Sequence, residues 1–134
     1  MNKKKVILIV VGVVLLGVAI FGVNYAINFS YYEEIMPTVK IEDVDISSVN
    51  DGVYTGSFDA KIISATAEVK VENGMITDIL LVKHKYERGG SAEAIVDTIL
   101  MEQSLDVDTV SGATNSSKTI LKAVENALNN EVDK

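Results

Sequence analysis

The sequence predicts an α+β fold: a small antiparallel sheet packed against two helices, preceded by a single N-terminal transmembrane helix. Three observations carry this expectation. Residues 6–27 contain no charged side chain. Two alternating, β-branched segments flank Glu72-Asn73-Gly74, where Asn-Gly favours the left-handed angles of a tight hairpin. Ile120, Leu121, Val124 and Leu128 recur at helical spacing near the end of the chain. No Gly-x-Gly-x-x-Gly or Walker loop occurs, so a βαβ nucleotide fold is not expected.

The apolar stretch comes first. Val6 to Phe21 is almost wholly aliphatic, and about 20 helical residues at about 1.5 Å each cross a hydrocarbon core. Lys3, Lys4 and Lys5 precede it, and the next charge is Glu33. That asymmetry predicts a cytoplasmic N-terminus and an extracytoplasmic C-terminal domain, in a single-pass protein of the cell membrane. A signal peptide has an apolar region of about 7–15 residues closed by a small-x-small site. This run is longer and Phe21 to Tyr32 offers no such site, so a retained anchor is expected. Tyr25, Phe29, Tyr31 and Tyr32 cluster where the chain would leave the bilayer. The expected organisation is a basic segment at 1–5, a transmembrane helix at 6–27, a connector at 28–49, a domain at 50–130 and a polar tail at 131–134. Pro37, the only proline, opposes helix continuation. The connector either lifts the domain off the membrane or packs in part as an edge strand.

Composition narrows the chemistry. The 134 residues suffice for one modest domain, and none is cysteine. That excludes disulfides, thiolate metal or iron–sulfur ligation and a thiol nucleophile. The formal net charge is -7, and setting aside Lys3–Lys5 leaves nine basic against nineteen acidic side chains. Such a surface repels phosphate backbones, so nucleic acid is not an expected partner.

Within the domain, Asn50-Asp51-Gly52 is a turn signal, and Gly52 to Phe58 alternates as a first strand. Val53, Thr55 and Ser57 share one face; Tyr54, Gly56 and Phe58 share the other. Ile62 to Val71 is a second strand through Ala65, Ala67, Val69 and Val71, and Met75 to Val82 returns as a third. Met75 is expected as a core filler. Lys83-His84-Lys85-Tyr86-Glu87-Arg88-Gly89-Gly90 is a polar, basic island. His84 is the only histidine, so a metal site is not indicated there; by itself it reads as a surface or edge hydrogen-bonding group. Ser91 to Met101 fits a helix capped by Ser91, with Ile95, Ile99 and Leu100 on its apolar stripe, and Ser117 to Leu128 fits a second.

Between those helices lies the densest polar, small-residue stretch, Asp108-Thr109-Val110-Ser111-Gly112-Ala113-Thr114-Asn115-Ser116-Ser117. It joins a strand-like region to the final helix. Read from the residues alone it is an ordinary Ser/Thr helix cap or an anion site, since a helix N-terminus presents unbonded N–H groups and partial positive charge. A hydrolase built on Ser111 or Ser116 would need a base, and no Gly-x-Ser-x-Gly elbow is present.

Asp108-x-x-Ser111-Gly112-Ala113-Thr114 resembles the attachment motif of the FMN-binding domain family, found in the G and C subunits of Rnf- and Nqr-type redox complexes and in small flavin-carrying electron-transfer modules. The Asp51-Gly52-x-Tyr54-x-Gly56 opening is similar to that of many such domains. The resemblance implies FMN joined covalently by a flavin transferase through a phosphoester to Thr114. It implies an approach turn of Ser111, Gly112 and Ala113, with Asp108 as a recognition residue for the transferase. It places Ser116, Ser117, His84 and Glu87 in the cofactor-binding set. The family often has a Glu-x-Pro-Gly-like loop after such a histidine, and Glu87-Arg88-Gly89-Gly90 departs from it by lacking the proline. The implied function is a membrane-anchored redox carrier rather than a stand-alone enzyme. Its partner would be a quinone-linked dehydrogenase or an Rnf-like complex. The alternative is a module that binds FMN non-covalently or acts without flavin.

Overall fold

A computed structural model of the protein describes residues 1–132. Its architecture is an N-terminal apolar helix, a three-stranded antiparallel sheet and two further helices packed on one face of that sheet, as the sequence predicts. Helix α1 runs Lys3–Ile35, strands β1, β2 and β3 span Gly52–Asp59, Ser64–Glu72 and Met75–Lys85, and helices α2 and α3 span Ile95–Glu102 and Thr114–Val132.

The sheet forms because β2 buries alternate residues. Ala65, Ala67, Val69 and Val71 all face the core. β2 is the central strand, paired antiparallel with both neighbours. Asn73 and Gly74 take φ of +53° and +71°, the left-handed pair that a two-residue hairpin requires. On β3 the register steps from Val71↔Ile76 to Lys70↔Asp78 and from Ala67↔Leu81 to Thr66↔Lys83. Thr77 and Val82 are the extra residues, so Ile76 and Ile79, three apart, both turn inward. Val82 and Met75 are exposed, and the expectation of Met75 as a core filler is corrected: it begins the strand on the solvent side of the turn.

α3 lies across β1 and β2. Ile120, Leu121, Val124 and Leu128 are buried, and Ala123 and Ala127 allow close approach. The nearest point is Gly56, where an added Cβ would collide with the Ala127 amide nitrogen and the Ala123 carbonyl oxygen. The same helix protects the free edge of β1: Asn126 Nδ2 donates to the Ser57 carbonyl at 2.8 Å and Asn130 Nδ2 to that of Thr55 at 3.1 Å. α2 is held to β3 by Gln103, whose side chain accepts from the Ile76 N–H at 2.8 Å and donates to its carbonyl at 2.9 Å. The expected Ser91 cap is not formed. Residues Gly90–Ala94 make a short 3₁₀ segment, and α2 proper starts at Ile95, with Ile95 and Ile99 buried.

At the other end α1 continues to Ile35 and stops before Pro37, which lies in a 3₁₀ turn at Met36–Thr38. α1 has no buried residue and its apolar stretch has a mean hydropathy of 3.2; among the described residues it is the one helix long and apolar enough to cross a membrane. The connector forms no strand and is no free spacer. Met36 and Val39 pack with Ala60, Ile62 and Ile63 beside Phe29 and Tyr32 of α1, while Ile46 and Val49 join the main core. Glu125, buried on α3, holds the connector: it pairs with Lys122 at 2.8 Å and accepts the Glu42 N–H at 3.2 Å. Asp43 ties the connector to the loop after α2, accepting from the Leu105 N–H at 2.9 Å and the Ser104 hydroxyl at 3.0 Å. Of the expected tail, α3 extends through Val132, and Asp133 and Lys134 lie outside the described residues.

Two outcomes follow from this packing. Gly56→Ala must push α3 from β1, costing about 1–3 kcal/mol or more by overpacking; thermal unfolding of the detergent-solubilised protein should show a lowered Tm. The Leu105 N–H, opposed by partial burial, holds the Asp43 carboxyl below its usual range. The stability it contributes is therefore complete above the ordinary carboxylate pKa and lost as pH falls through the lowered folded value. Melting curves across that acid window should be less steep in pH for Asp43→Ala than for the parent chain.

Candidate functional site

The site is built around the start of α3. Ahead of it, the Ala113 N–H donates to the Val110 carbonyl at 3.0 Å, closing a reverse turn in which Gly112 has φ of +78°. A side chain at Gly112 would meet open space, so the glycine is required by backbone angle alone. Ser117, fully buried, accepts the Val110 N–H on its hydroxyl at 3.0 Å and donates its own N–H to the Ala113 carbonyl at 2.9 Å. It therefore pins the turn from beneath. The preceding segment, expected to be strand-like, is irregular from Ser104 to Val110.

Thr114 is the first residue of α3 and is exposed, so the helix begins three residues earlier than the apolar spacing indicates. The hydroxyl expected on a loop thus stands on the first helical turn, beside N–H groups that have no intrahelical acceptor. Asn115 is exposed beside it, and its Nδ2 donates to Tyr32 Oη of α1 at 2.8 Å. Ser116 is buried.

The loop after β3 closes against this turn. A Cβ on Gly89 would fall on the Ser116 side chain, so only glycine lets the loop touch α3 there. Between the two segments lies a cleft of about 410 Å³. Gly112, Ala113, Thr114, Asn115 and Ser116 line one side, Glu87, Arg88 and Gly89 the other. Ile62, Ile63 and Tyr32 complete it. The Glu87 carboxylate accepts a hydrogen bond from Tyr25 Oη at 3.0 Å. The N-terminus of α3 places partial positive charge beside the threonine, and Arg88 and Glu87, of opposite charge, both line the facing side. A helix N-terminus above an apolar floor fits an organic phosphate.

The other expected site residues are distributed around this cleft. Ser111 and Asp108 are exposed on the approach to the turn. Ser117 faces the interior rather than the cleft. His84 is also set back: the Val82 bulge turns it to the inner face, its side chain is 2% exposed, and its ring lies 4.8 Å from that of Tyr86. Its Nδ1 is 3.1 Å from Glu93 Oε1, and its Nε2 is buried with no hydrogen-bond partner. It is an edge-strand hydrogen-bonding group, as expected, but its side chain is buried rather than on the surface. Tyr32, Ile62, Ile63, Arg88, Gly89 and Asn115 were not among the residues expected. Only Asn115, adjoining the motif, and Gly89, in the glycine pair, carried a local sign.

The chain matches the FMN-binding domain family over residues 63–129, a span that holds β2, β3, α2, all but the last three residues of α3 and every residue of the cleft except Tyr32 and Ile62. It is 32% identical over 85 residues to an uncharacterized protein of Treponema pallidum (strain Nichols), covering 61% of this chain and 24% of that protein. The chain thus spans about a quarter of the length of that relative. No solved structure matches. The family match covers half of the chain and includes both segments that form the cleft, and the protein belongs to the FMN-binding domain family.

Proposed function

We propose that this protein is a membrane-anchored, extracytoplasmic electron carrier that holds FMN as a phosphoester on Thr114. The observation that carries the reading is the position of Thr114: exposed, first in α3, and on the wall of a cleft of about 410 Å³. An enzyme that esterifies it needs that exposure, and exposed Asp108 and Ser111 on the same approach are the surface it would read. The Thr114 oxygen forms a P–O bond as its proton is removed and a second P–O bond of an activated flavin nucleotide breaks, the remainder of that nucleotide departing, so the chain gains one FMN less one water.

Bound FMN supplies reversible electron transfer, and the protein supplies attachment, orientation and partial exclusion of water. Thr114 fixes the phosphate where the first-turn N–H groups and Arg88 offset its charge. Gly89 and Gly112 leave backbone surface bare beside it, and Ile62 and Ile63 provide apolar contact for the remainder. The Tyr25–Glu87 and Tyr32–Asn115 hydrogen bonds hold both sides of the cleft to α1.

The lysines that open α1, ahead of its apolar run, favour a cytoplasmic N-terminus and an extracytoplasmic domain. Covalent attachment suits that side, where a dissociated cofactor is lost. The acidic domain favours brief, salt-sensitive docking on a basic surface of a redox partner, such as a quinone-linked dehydrogenase or an Rnf-like complex.

The deciding experiment is intact mass of the protein purified from its own membranes beside Thr114→Ala. A gain of one FMN less one water, with flavin fluorescence surviving denaturation and both absent from the variant, is the expected result. An unmodified parent chain in cells with an active flavin transferase would overturn the reading in favour of reversible FMN binding or a flavin-free role. Gly89→Ala should lift the loop from Ser116 and lower flavin per protein severalfold, read as in-gel fluorescence, while circular dichroism retains the folded spectrum.

A further inference from the structure

A second, larger groove of about 570 Å³ lies between α1 and the near end of the sheet. Its helix wall grades along the chain. Gly17, Ile20 and Phe21 are apolar, and Asn24, Tyr25 and Asn28 follow one to two turns later. For a helix whose apolar run ends near Ile27, the first group lies at acyl depth and the second at headgroup depth. Gly17 bears no Cβ and has nothing within 4 Å of where one would be, so the wall is recessed there.

The facing wall is Lys61, Ile62, Lys85, Tyr86 and Glu87, of which Ile62 and Glu87 also border the cleft at Thr114. Lys61 sits on the β1–β2 turn at φ of +69°, its backbone N–H bonded to Asp59 Oδ1 at 2.7 Å. Its ammonium is 3.9 Å from Asp59 Oδ2 and about half exposed, a loose pair that leaves most of its donors free. Lys85 Nζ spends one of its three donors on the Lys61 backbone carbonyl at 2.7 Å, which brings its ammonium to the turn that carries Lys61. The acids nearby are Asp59 and Glu87, and Glu87 receives the Tyr25 hydroxyl. A cationic lining is unexpected in a domain this acidic. Around it, Lys61, Lys83, Lys85 and Arg88 stand with Asp59, Glu87 and Glu93 at the end of the sheet nearest α1, whereas Asp51, Glu72 and Asp78 stand with Lys70 at the hairpin end.

We propose that this groove binds an anionic phospholipid from the leaflet on the domain's side, with its phosphate at the Lys61 and Lys85 ammonium groups and an acyl chain along Gly17, Ile20 and Phe21. The two requirements of such a ligand, a charged head and an apolar tail below it, match the two halves of the groove in the order the bilayer imposes. The site uses none of Thr114, Arg88 or Gly89 and does not depend on flavin.

The test uses the full, flavin-free chain in nanodiscs of phosphatidylcholine with a minority of phosphatidylglycerol, released for native mass spectrometry. The expected result is one retained phosphatidylglycerol, preferred roughly tenfold over phosphatidylcholine. Lys61→Gln with Lys85→Gln should bring that ratio near parity, and Lys61→Arg with Lys85→Arg should keep it. Lys3→Gln, Lys4→Gln and Lys5→Gln together should also keep it, because those lysines face the opposite leaflet. No preference in the parent chain, preference surviving the paired glutamine variant, or preference lost only in the triple variant would each overturn the proposal.

Discussion

The contact on which the structure depends is the approach of β1 to α3 at Gly56. There a strand backbone and a helix backbone meet with no side chain between them. That proximity lets Ala123 and Ala127 close the core, and it brings Asn126 and Asn130 within reach of the exposed carbonyls of β1. It also sets the angle of α3 against the sheet, and so determines where the helix starts. Thr114 is presented at the cleft because the far end of its helix is clamped about three turns away.

The near end is settled by a second small-residue contact. Gly89 lies directly on Ser116, so the loop leaving β3 and the first turn of α3 move as one. Ser117 does the corresponding work beneath, taking up the Val110 N–H that the turn would otherwise bury without a partner. Glycines and buried hydroxyls thus define the shape of the cleft, while the exposed residues Thr114, Glu87 and Arg88 supply its chemistry. His84 belongs to the supporting group, since its ring props Tyr86 and leaves one nitrogen unpartnered in the interior.

Sequence periodicity revealed the elements whose burial follows a single local rule. The alternation of Ala65, Ala67, Val69 and Val71, the Asn73-Gly74 turn and the helical spacing of Ile120 to Leu128 all read correctly. Errors arose where a long-range partner changed the period. The bulges at Thr77 and Val82 shift the alternation of β3 against β2, so no strict two-residue period on β3 carries Ile76, Ile79 and His84 inward together. The start of α3 was misplaced because Thr114, Asn115 and Ser116 have no apolar periodicity of their own. Tyr32 was invisible as a cleft residue: it meets Asn115 across 83 positions, and by composition it belongs to the aromatic cluster at the end of the membrane segment.

The union of α1 with the domain has a mechanical consequence. A helix of 33 residues is about 50 Å long, and a hydrocarbon core takes up about 30 Å of it. The remainder leads into a connector packed on the domain and fastened by Glu125 and Asp43, with no slack chain between. In a bilayer such a molecule has a fixed height and searches for partners by lateral diffusion and rotation about its own axis. It cannot reach upward on a tether. Anything that met the cleft of a chain so anchored would have to present its own surface at that height above the bilayer, so geometry would act before charge or shape.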